Sequence, residues 1–395
     1  MRKVLLSVML LLFILSNMLF TAPFSRFVLA SEVVEDSWST MASMSQARGS
    51  LGVVAVDGKI YAIGGHIAPH AGRSSENDYV STNECYDPKT NTWITLKPMP
   101  TPREGFAIAA CAGKIYCIGG YGYNESSVLR YNDLGVNEVY DVATDSWSTE
   151  ASLPVSGGRL QAHVVDGKIF VIVQLDGTLY MYNPEADTWI EKVSMPSWGQ
   201  GLVSALVNNK IILTGNFYYF TEQTLSFSNE QKFLIYNPKT DIWTEGKTGP
   251  ESTAYTSVAE ATTDLSAPQK VYFFYGGKSN IVMLYDPVGD TWSTVKVRPT
   301  SSWSFGVAVV DDVFYVIGGF TDTDTDSEPL AVTERYVSLG YRGDLPSVSA
   351  PVSSSGGVDF SLNNTTAIIV VALVLTIGIV AVGLFFYFRL HKNAL

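Results

Sequence analysis

Three arginines, Arg48, Arg103 and Arg159, and three aromatic residues, Trp198, Tyr255 and Trp303, recur at comparable places along the chain, each ahead of an apolar segment. Guanidinium forks beside aromatic planes can grip a carboxylate or stack on a sugar. The same arginines can instead brace neighbouring elements, donating to buried carbonyls and carboxylates. Arg48 and Arg103 stand equally far ahead of Gly58 and Gly113 and are therefore equivalent, whereas Arg159 is two residues out of step with Gly167. His66 joins these six as a ligand-binding candidate. In His66-Ile67-Ala68-Pro69-His70 the spacing suits a metal pair on a helix, but the proline opposes a helix, so both histidines read as solvated loop residues. Asp322, Asp324, Asp326 and Glu328 alternate along one segment and could collect Ca²⁺ through oxygens. The EF-hand pattern fails there, with Ser327 and Thr333 where Gly and Glu are required, so a solvated acidic loop is expected.

Other chemistry finds little support. The chain has four histidines, and no Gly-x-Ser-x-Gly elbow, His-Glu-x-x-His pair or phosphate loop is present. No cofactor is implied. A net charge of -12 opposes nucleic acid as a partner, since phosphate binding needs a basic surface. Cys85, Cys111 and Cys117 are too few for a disulfide scaffold and read as small buried hydrophobes. A turn at Ala112-Gly113 pairs Cys111 with Lys114 and Cys117 with Ile108, which puts the two sulfurs on opposite sides.

The elements that must position these residues come from a repeat. Tyr86 to Trp93 reads YDPKTNTW, and Tyr140 to Trp147 reads YDVATDSW. The same strand–turn–strand returns at Tyr182 to Trp189, Tyr236 to Trp243 and Tyr285 to Trp292, so the tryptophans lie about 50 residues apart, the period of a four-stranded blade. A hairpin precedes most copies, turning at Asp57-Gly58, Ala112-Gly113, Asp166-Gly167, Asn208-Asn209 and Asp311-Asp312. Its second strand closes on a glycine pair at Gly64-Gly65, Gly119-Gly120, Gly276-Gly277 and Gly318-Gly319; the third and fourth repeats carry Val173-Gln174 and Thr214-Gly215 instead. The last Tyr, Tyr336, has no Trp after it, and Trp38 has no hairpin before it. A six-bladed ring in which the Trp38 strand completes the sixth blade solves both, because closure removes the exposed edges.

A double glycine, a Tyr in the third strand and a Trp in the fourth resemble the Kelch repeat, over about 34–341. The resemblance implies an all-β, six-bladed β-propeller whose blade-to-blade and second-to-third-strand loops share one face, where the candidate residues above would gather. It implies a binding module for an extracellular protein or glycan. It also admits an exported Kelch-type sugar mutarotase acting on an acidic sugar, or a purely structural surface protein. A galactose-oxidase-like copper site is not implied, for want of histidines.

The ends predict where the propeller sits. Arg2-Lys3, an apolar run and Val28-Leu29-Ala30 read as a signal peptide over 1–30, with an uncleaved anchor as the alternative. The propeller spans 31–342. Residues 343–366 are rich in Ser, Pro and Gly and read as a stalk about 25 Å in coil dimension. Ala367 to Phe388 carries no charge and is long enough to cross ~30 Å of hydrocarbon as a transmembrane helix. Arg389 and Lys392 place the 389–395 tail in the cytoplasm. The chain is thus expected at the cell membrane, single-pass, with its propeller extracytoplasmic.

Overall fold

Short apolar runs separated by Asp, Asn and Gly turns pair as antiparallel strands, and a computed structural model shows how these associate. It describes residues 33–345 apart from 69–74, 128–130, 175, 197, 222–223, 248, 250–255, 278 and 322–326. The expected signal peptide, transmembrane helix and tail lie outside the described residues, as do Tyr255, Asp322, Asp324, Asp326 and nearly all of the stalk. Among the described residues no helix is long and apolar enough to cross a membrane.

Six four-stranded sheets form the blades. Blade 1 comprises Gly52–Val56, Lys59–Ile63, Asn83–Asp87 and Thr92–Leu96. Blade 2 comprises Ala107–Cys111, Lys114–Tyr123, Tyr131–Asp141 and Ser146–Glu150. Blade 3 comprises Leu160–Val165, Lys168–Val173, Leu179–Asn183 and Thr188–Lys192, and blade 4 Trp198–Val207, Lys210–Thr221, Thr224–Asn237 and Ile242–Glu245. Blade 5 comprises Thr256–Ala261, Val271–Tyr275, Val282–Asp286 and Thr291–Val295. Blade 6 takes Gly306–Val310, Val313–Ile317 and Thr333–Val337 from the end of the array and Ser37–Thr40 from its beginning, with Trp38 opposite Tyr336. The first strands of successive blades touch one another in a closed ring around the central channel. The expected closure is what the chain does.

Local chemistry dictates the turns. Asp57, Ala112, Asp166, Asn208 and Asp311 open the hairpins with left-handed φ of 49 to 52°, which Asp, Asn and Gly tolerate best. The second glycine of a pair is required for a different reason: Gly120 has φ 102°, and a Cβ there would sit 2.6 Å from the Glu104 carbonyl oxygen. Of Gly276-Gly277, only Gly277 adopts positive φ. In blade 5, a loop replaces the tight hairpin. The buried Asp312 carboxylate caps it, accepting from the amides of Thr263, Ser266 and Ala267 at 2.6 to 2.8 Å.

The repeated Tyr and Trp weld blade to blade. Each Tyr hydroxyl donates to an Asp or Asn five residues on: Tyr86 to Asn91, Tyr140 to Asp145, Tyr182 to Asp187, Tyr236 to Asp241 and Tyr285 to Asp290, at 2.6 to 3.0 Å. Each Trp indole N–H donates to a carbonyl just past the outer strand of the preceding blade, as Trp93 to Ala42, Trp147 to Lys97, Trp189 to Ala151, Trp243 to Val193 and Trp292 to Lys247. The aromatic rings pack on one another within each blade, with centroids 4.8 to 5.1 Å apart. All three cysteines are free and buried, and Cys111 and Cys117 pair in the expected register.

Both ends of the described chain lie at the face that carries the first-to-second-strand hairpin turns. Glu35 accepts from the Gly340 amide, and the Arg342 amide donates to Ser266 in the blade 5 loop. The opposite face, where blade-to-blade loops meet second-to-third-strand loops, is the mouth.

Candidate functional site

Arg48 and Arg103 do not face a ligand. Both are 0% exposed and ion-paired inside their own blades, Arg48 with Glu84 and Arg103 with Glu138. Arg48 also donates to the carbonyls of Gly64 at 3.0 Å and Ala62 at 2.8 Å, and Arg103 to those of Thr101 and Cys117. Burial pushes the Arg48 guanidinium below its ordinary value, and the Glu84 carboxylate opposes that shift. Glu84 accepts in turn from the Ser45 amide, and Glu138 from the Thr101 hydroxyl, so each glutamate ties the incoming loop to the third strand. A third brace has the same logic: Glu334 accepts from Thr300, with Arg298 3.7 Å away and stacked 3.9 Å over the Phe305 ring. The ligand expectation for Arg48 and Arg103 is therefore replaced by the bracing one. The signal was in the sequence, since Glu84, Glu138 and Glu334 each stand two residues before a repeat Tyr. Blades 3, 4 and 5 carry Tyr180, Leu234 and Met283 there, so braced blades 6, 1 and 2 form one arc and unbraced blades the other.

Arg159 is different. It is exposed, and no hydrogen bond or ion pair holds it among the described residues. It is not an irregular copy of Arg103; it occupies the left-handed position held by Ser50, Gly105 and Ser304 in other blades, with φ 52°. These positions are joined by backbone bonds running round the mouth: the Ser50 amide donates to Ser304, Gly105 to Ser50, and Leu160 to Gly105.

Just outside this ring, one side chain from each of blades 6, 1 and 2 lies over the next blade. A Cβ at Gly49 would meet the Phe320 ring, and one at Gly158 the Tyr121 ring. Between them His66 meets Glu104 in the equivalent place. His66 is 1% exposed and packs between Tyr79 and Phe320, which corrects the solvated-loop expectation. Burial raises the Glu104 pKa, and His66, Ser50 and Arg159 each oppose the rise. Trp303 stacks on Phe320 with centroids 5.0 Å apart and is half-buried at the mouth. Trp198 opens the first strand of blade 4 opposite Tyr218. Arg159, Trp303 and His66 are thus brought to one face; Arg48 and Arg103 lie beneath it.

Two hairpins extend this face. The second and third strands of blade 2 pair out to Tyr123 and Tyr131, and those of blade 4 out to Thr221 and Thr224, far beyond the five-residue strands of blade 1. They stand on either side of blade 3, which carries Arg159. Tyr121 and Tyr131 meet edge to face at 5.0 Å in the blade 2 hairpin.

Inside the ring, His163 Nε2 lies 2.6 Å from the Ser204 hydroxyl, a contact that sequence reasoning did not foresee. It is not an activated nucleophile. Ser204 donates its single proton to Gln161 Oε1, whose Nε2 is fixed on the Leu202 carbonyl, so His163 must donate to Ser204. Among the described residues no group of three or more His, Cys, Asp and Glu side chains could hold a metal.

Comparison with known proteins agrees with this architecture. The Kelch motif family model matches residues 47–100 and 102–154, which are blades 1 and 2 with their entering loops. The chain is 31% identical over 153 residues to Kelch-like protein 35 of Mus musculus, covering 38% of this chain and 24% of that protein. It is 26% identical over 235 residues to Kelch-like protein 26 of Danio rerio, covering 55% and 34% respectively. The chain therefore spans about a quarter to a third of these relatives' length. Among solved structures, that of YjhT superposes with a TM-score of 0.56 at 13% identity, covering 73% of this chain and 95% of the other, a likeness of fold alone. With the repeated Tyr–Asp–Trp clamps and the glycine pairs, these matches support a six-bladed β-propeller built of Kelch-type repeats.

Proposed function

We propose that this propeller is a non-enzymatic binding module, displayed outside the cell on its C-terminal stalk and anchor, which takes an acidic loop or peptide of a partner protein at its mouth. Kelch propellers commonly bind proteins, and the mouth here has the shape for it: two long hairpins flanking blade 3. The observation that carries the reading is Arg159, an exposed guanidinium without an ion-pair partner among the described residues, on a chain of net charge -12. A bidentate carboxylate contact is the interaction such a fork favours.

The test is selection from a random peptide phage library on the full chain in detergent, with a glycan array beside it. Enrichment of acidic peptides, lost in Arg159→Ala and retained in Lys89→Ala on the far side, supports the reading. Acidic peptides that bind Arg159→Ala equally well, or glycan binding without peptide enrichment, overturn it.

A further inference from the structure

The tip of the blade 2 hairpin carries chemistry that the mouth does not use. Its two strands end their pairing at Tyr123 opposite Tyr131, and Asn124, Glu125 and Ser126 follow directly. Asn-x-Ser, with x other than Pro, is the acceptor triplet for a sugar on the asparagine amide nitrogen. Among the described residues Asn124 is the only asparagine two positions ahead of a Ser or Thr; Asn363 and Asn364, each two ahead of a Thr, lie outside them. Such a triplet is a common accident of sequence. What a sugar would meet at the nitrogen decides its meaning.

Glu125 and Ser126 are exposed at the turn, and Asn124 is partly exposed. The Asn124 side chain closes an Asx turn. Its Oδ1 accepts the Ser126 amide at 3.0 Å, and its backbone carbonyl accepts the Ser127 amide at 3.2 Å. The side chain is thus held by its oxygen, and Nδ2 makes no hydrogen bond among the described residues. Asn83 and Asn137 show the opposite arrangement. Both are 0% exposed and donate through Nδ2 to the carbonyls of Lys97 and Ala151, at 3.2 and 3.3 Å, so a substituent on either would break a buried bond. A substituent on Asn124 Nδ2 displaces no hydrogen bond of the folded chain.

We propose that Asn124 is an N-glycosylation site, an inference that rests on the extracytoplasmic placement of the propeller. The donor is a lipid-linked oligosaccharide, and the catalyst is an oligosaccharyltransferase of the export membrane. Nδ2 forms a bond to the anomeric carbon of the first sugar. The bond from that carbon to the lipid phosphate oxygen breaks, the lipid phosphate leaves with the electron pair, and one Nδ2 proton passes to a base on the transferase. The product is a neutral amide with one N–H left, and its Oδ1 still accepts the Ser126 amide. Because this hairpin flanks blade 3, the sugar chain stands at the rim of the face that carries Arg159.

The test uses the full chain purified in detergent from the membranes of its source cells, digested with trypsin and read by mass spectrometry. Cleavage after Lys114 and Arg130 isolates residues 115–130, in which Asn124 is the sole asparagine. The expected result is a peptide heavier than its sequence, which releases sugar fragment ions and keeps the attachment on Asn124. The added mass is lost in Ser126→Ala and in Glu125→Pro and kept in Ser126→Thr. Protease added to intact cells reports the placement separately. An unmodified peptide from a propeller that the protease reaches overturns the proposal, and so does added mass that persists in Ser126→Ala. An unmodified peptide from a propeller protected until lysis retires the placement and the proposal with it.

Discussion

The hydroxyl of Tyr336 donates to the carboxylate of Asp36 at 2.8 Å, across 300 residues of chain. This is the sixth copy of the clamp that Tyr86 makes with Asn91 and Tyr140 with Asp145 within a single turn. Asp36 adopts φ 50°, as Asp145 and Asp290 do near 48°, and it likewise accepts an amide from the preceding blade, that of Lys296 at 2.8 Å. Trp38 then donates to the Lys296 carbonyl at 3.0 Å. A covalent turn elsewhere in the ring is replaced here by two separate pieces of chain with the same chemistry.

The seam should therefore be sensitive to single atoms. Asp36→Ala removes the acceptor for a buried hydroxyl and for an amide, and is expected to cost about 1–3 kcal/mol. Trp38→Ala adds the loss of ring contacts with Tyr336 and Phe274 and is expected to cost about 3 kcal/mol. Deleting 31–42 bares the Thr333–Val337 strand and should be worst. Urea midpoints that rank otherwise, or do not move, would show that another contact closes the ring.

The arginine braces make an opposite prediction to ligand contacts. Arg48→Met strands the Glu84 carboxylate in a dry interior and is expected to cost about 3–5 kcal/mol. Arg48→Met with Glu84→Met recovers much of that loss, since the uncompensated charge goes with the pair. A double-mutant cycle by urea denaturation reads the coupling. Peptide binding at the mouth, measured below the melting temperature, should survive in the double variant.

Stability should carry the signature of one acid, Glu260 on the first strand of blade 5. The folded Glu260 carboxyl holds its proton up to about pH 7, whereas the unfolded one releases it near 4.5. Between those values the folded state binds more protons, so stability falls as pH rises, by up to about 3 kcal/mol in all. His163 acts at the acid end with the other sign: its folded pKa, near 4, lies below the ordinary 6.5, so stability is lost as pH falls through that window. Glu260→Gln should match the unaltered chain at pH 4.5 and exceed it at pH 8. A difference that is constant across that range would mean Glu260 ionises normally.

Protease added to intact cells is expected to release a soluble propeller by cutting within 343–366, the stalk read from sequence. Propeller that stays protected until the cells are lysed would retire the extracytoplasmic placement.

Much of the ring was legible because its marks are local. Asp36-Ser37-Trp38 resembles Asp145-Ser146-Trp147, and that likeness alone located the closing strand. The fate of Arg48 was not legible from its spacing, because whether a guanidinium meets water or Glu84 depends on how the entering loop lies against the third strand. His66 was misplaced for a related reason: the rings that bury it, Tyr79 and Phe320, come from a distant turn and from the neighbouring blade. Arg159 looked irregular because loop length differs between blades, while its left-handed φ is a property of backbone that spacing does not encode. Glu260 could have been noticed as the lone acid among Val258, Ala259 and Ala261.

The seam between Ser37–Thr40 and Thr333–Val337 is non-covalent, and its position decides how the ring bears tension. A pull applied at Leu345 and resisted at the mouth enters the third strand of blade 6, which is hydrogen-bonded to Val313–Ile317 in a continuous covalent blade. The Trp38 strand lies beside that load path and not in it. A pull on the N-terminus would instead shear four residue pairs directly, from Ser37 opposite Val337 to Thr40 opposite Glu334. Held by its C-terminal end, the propeller resists force with its strongest connections; held by the other end, it would unzip.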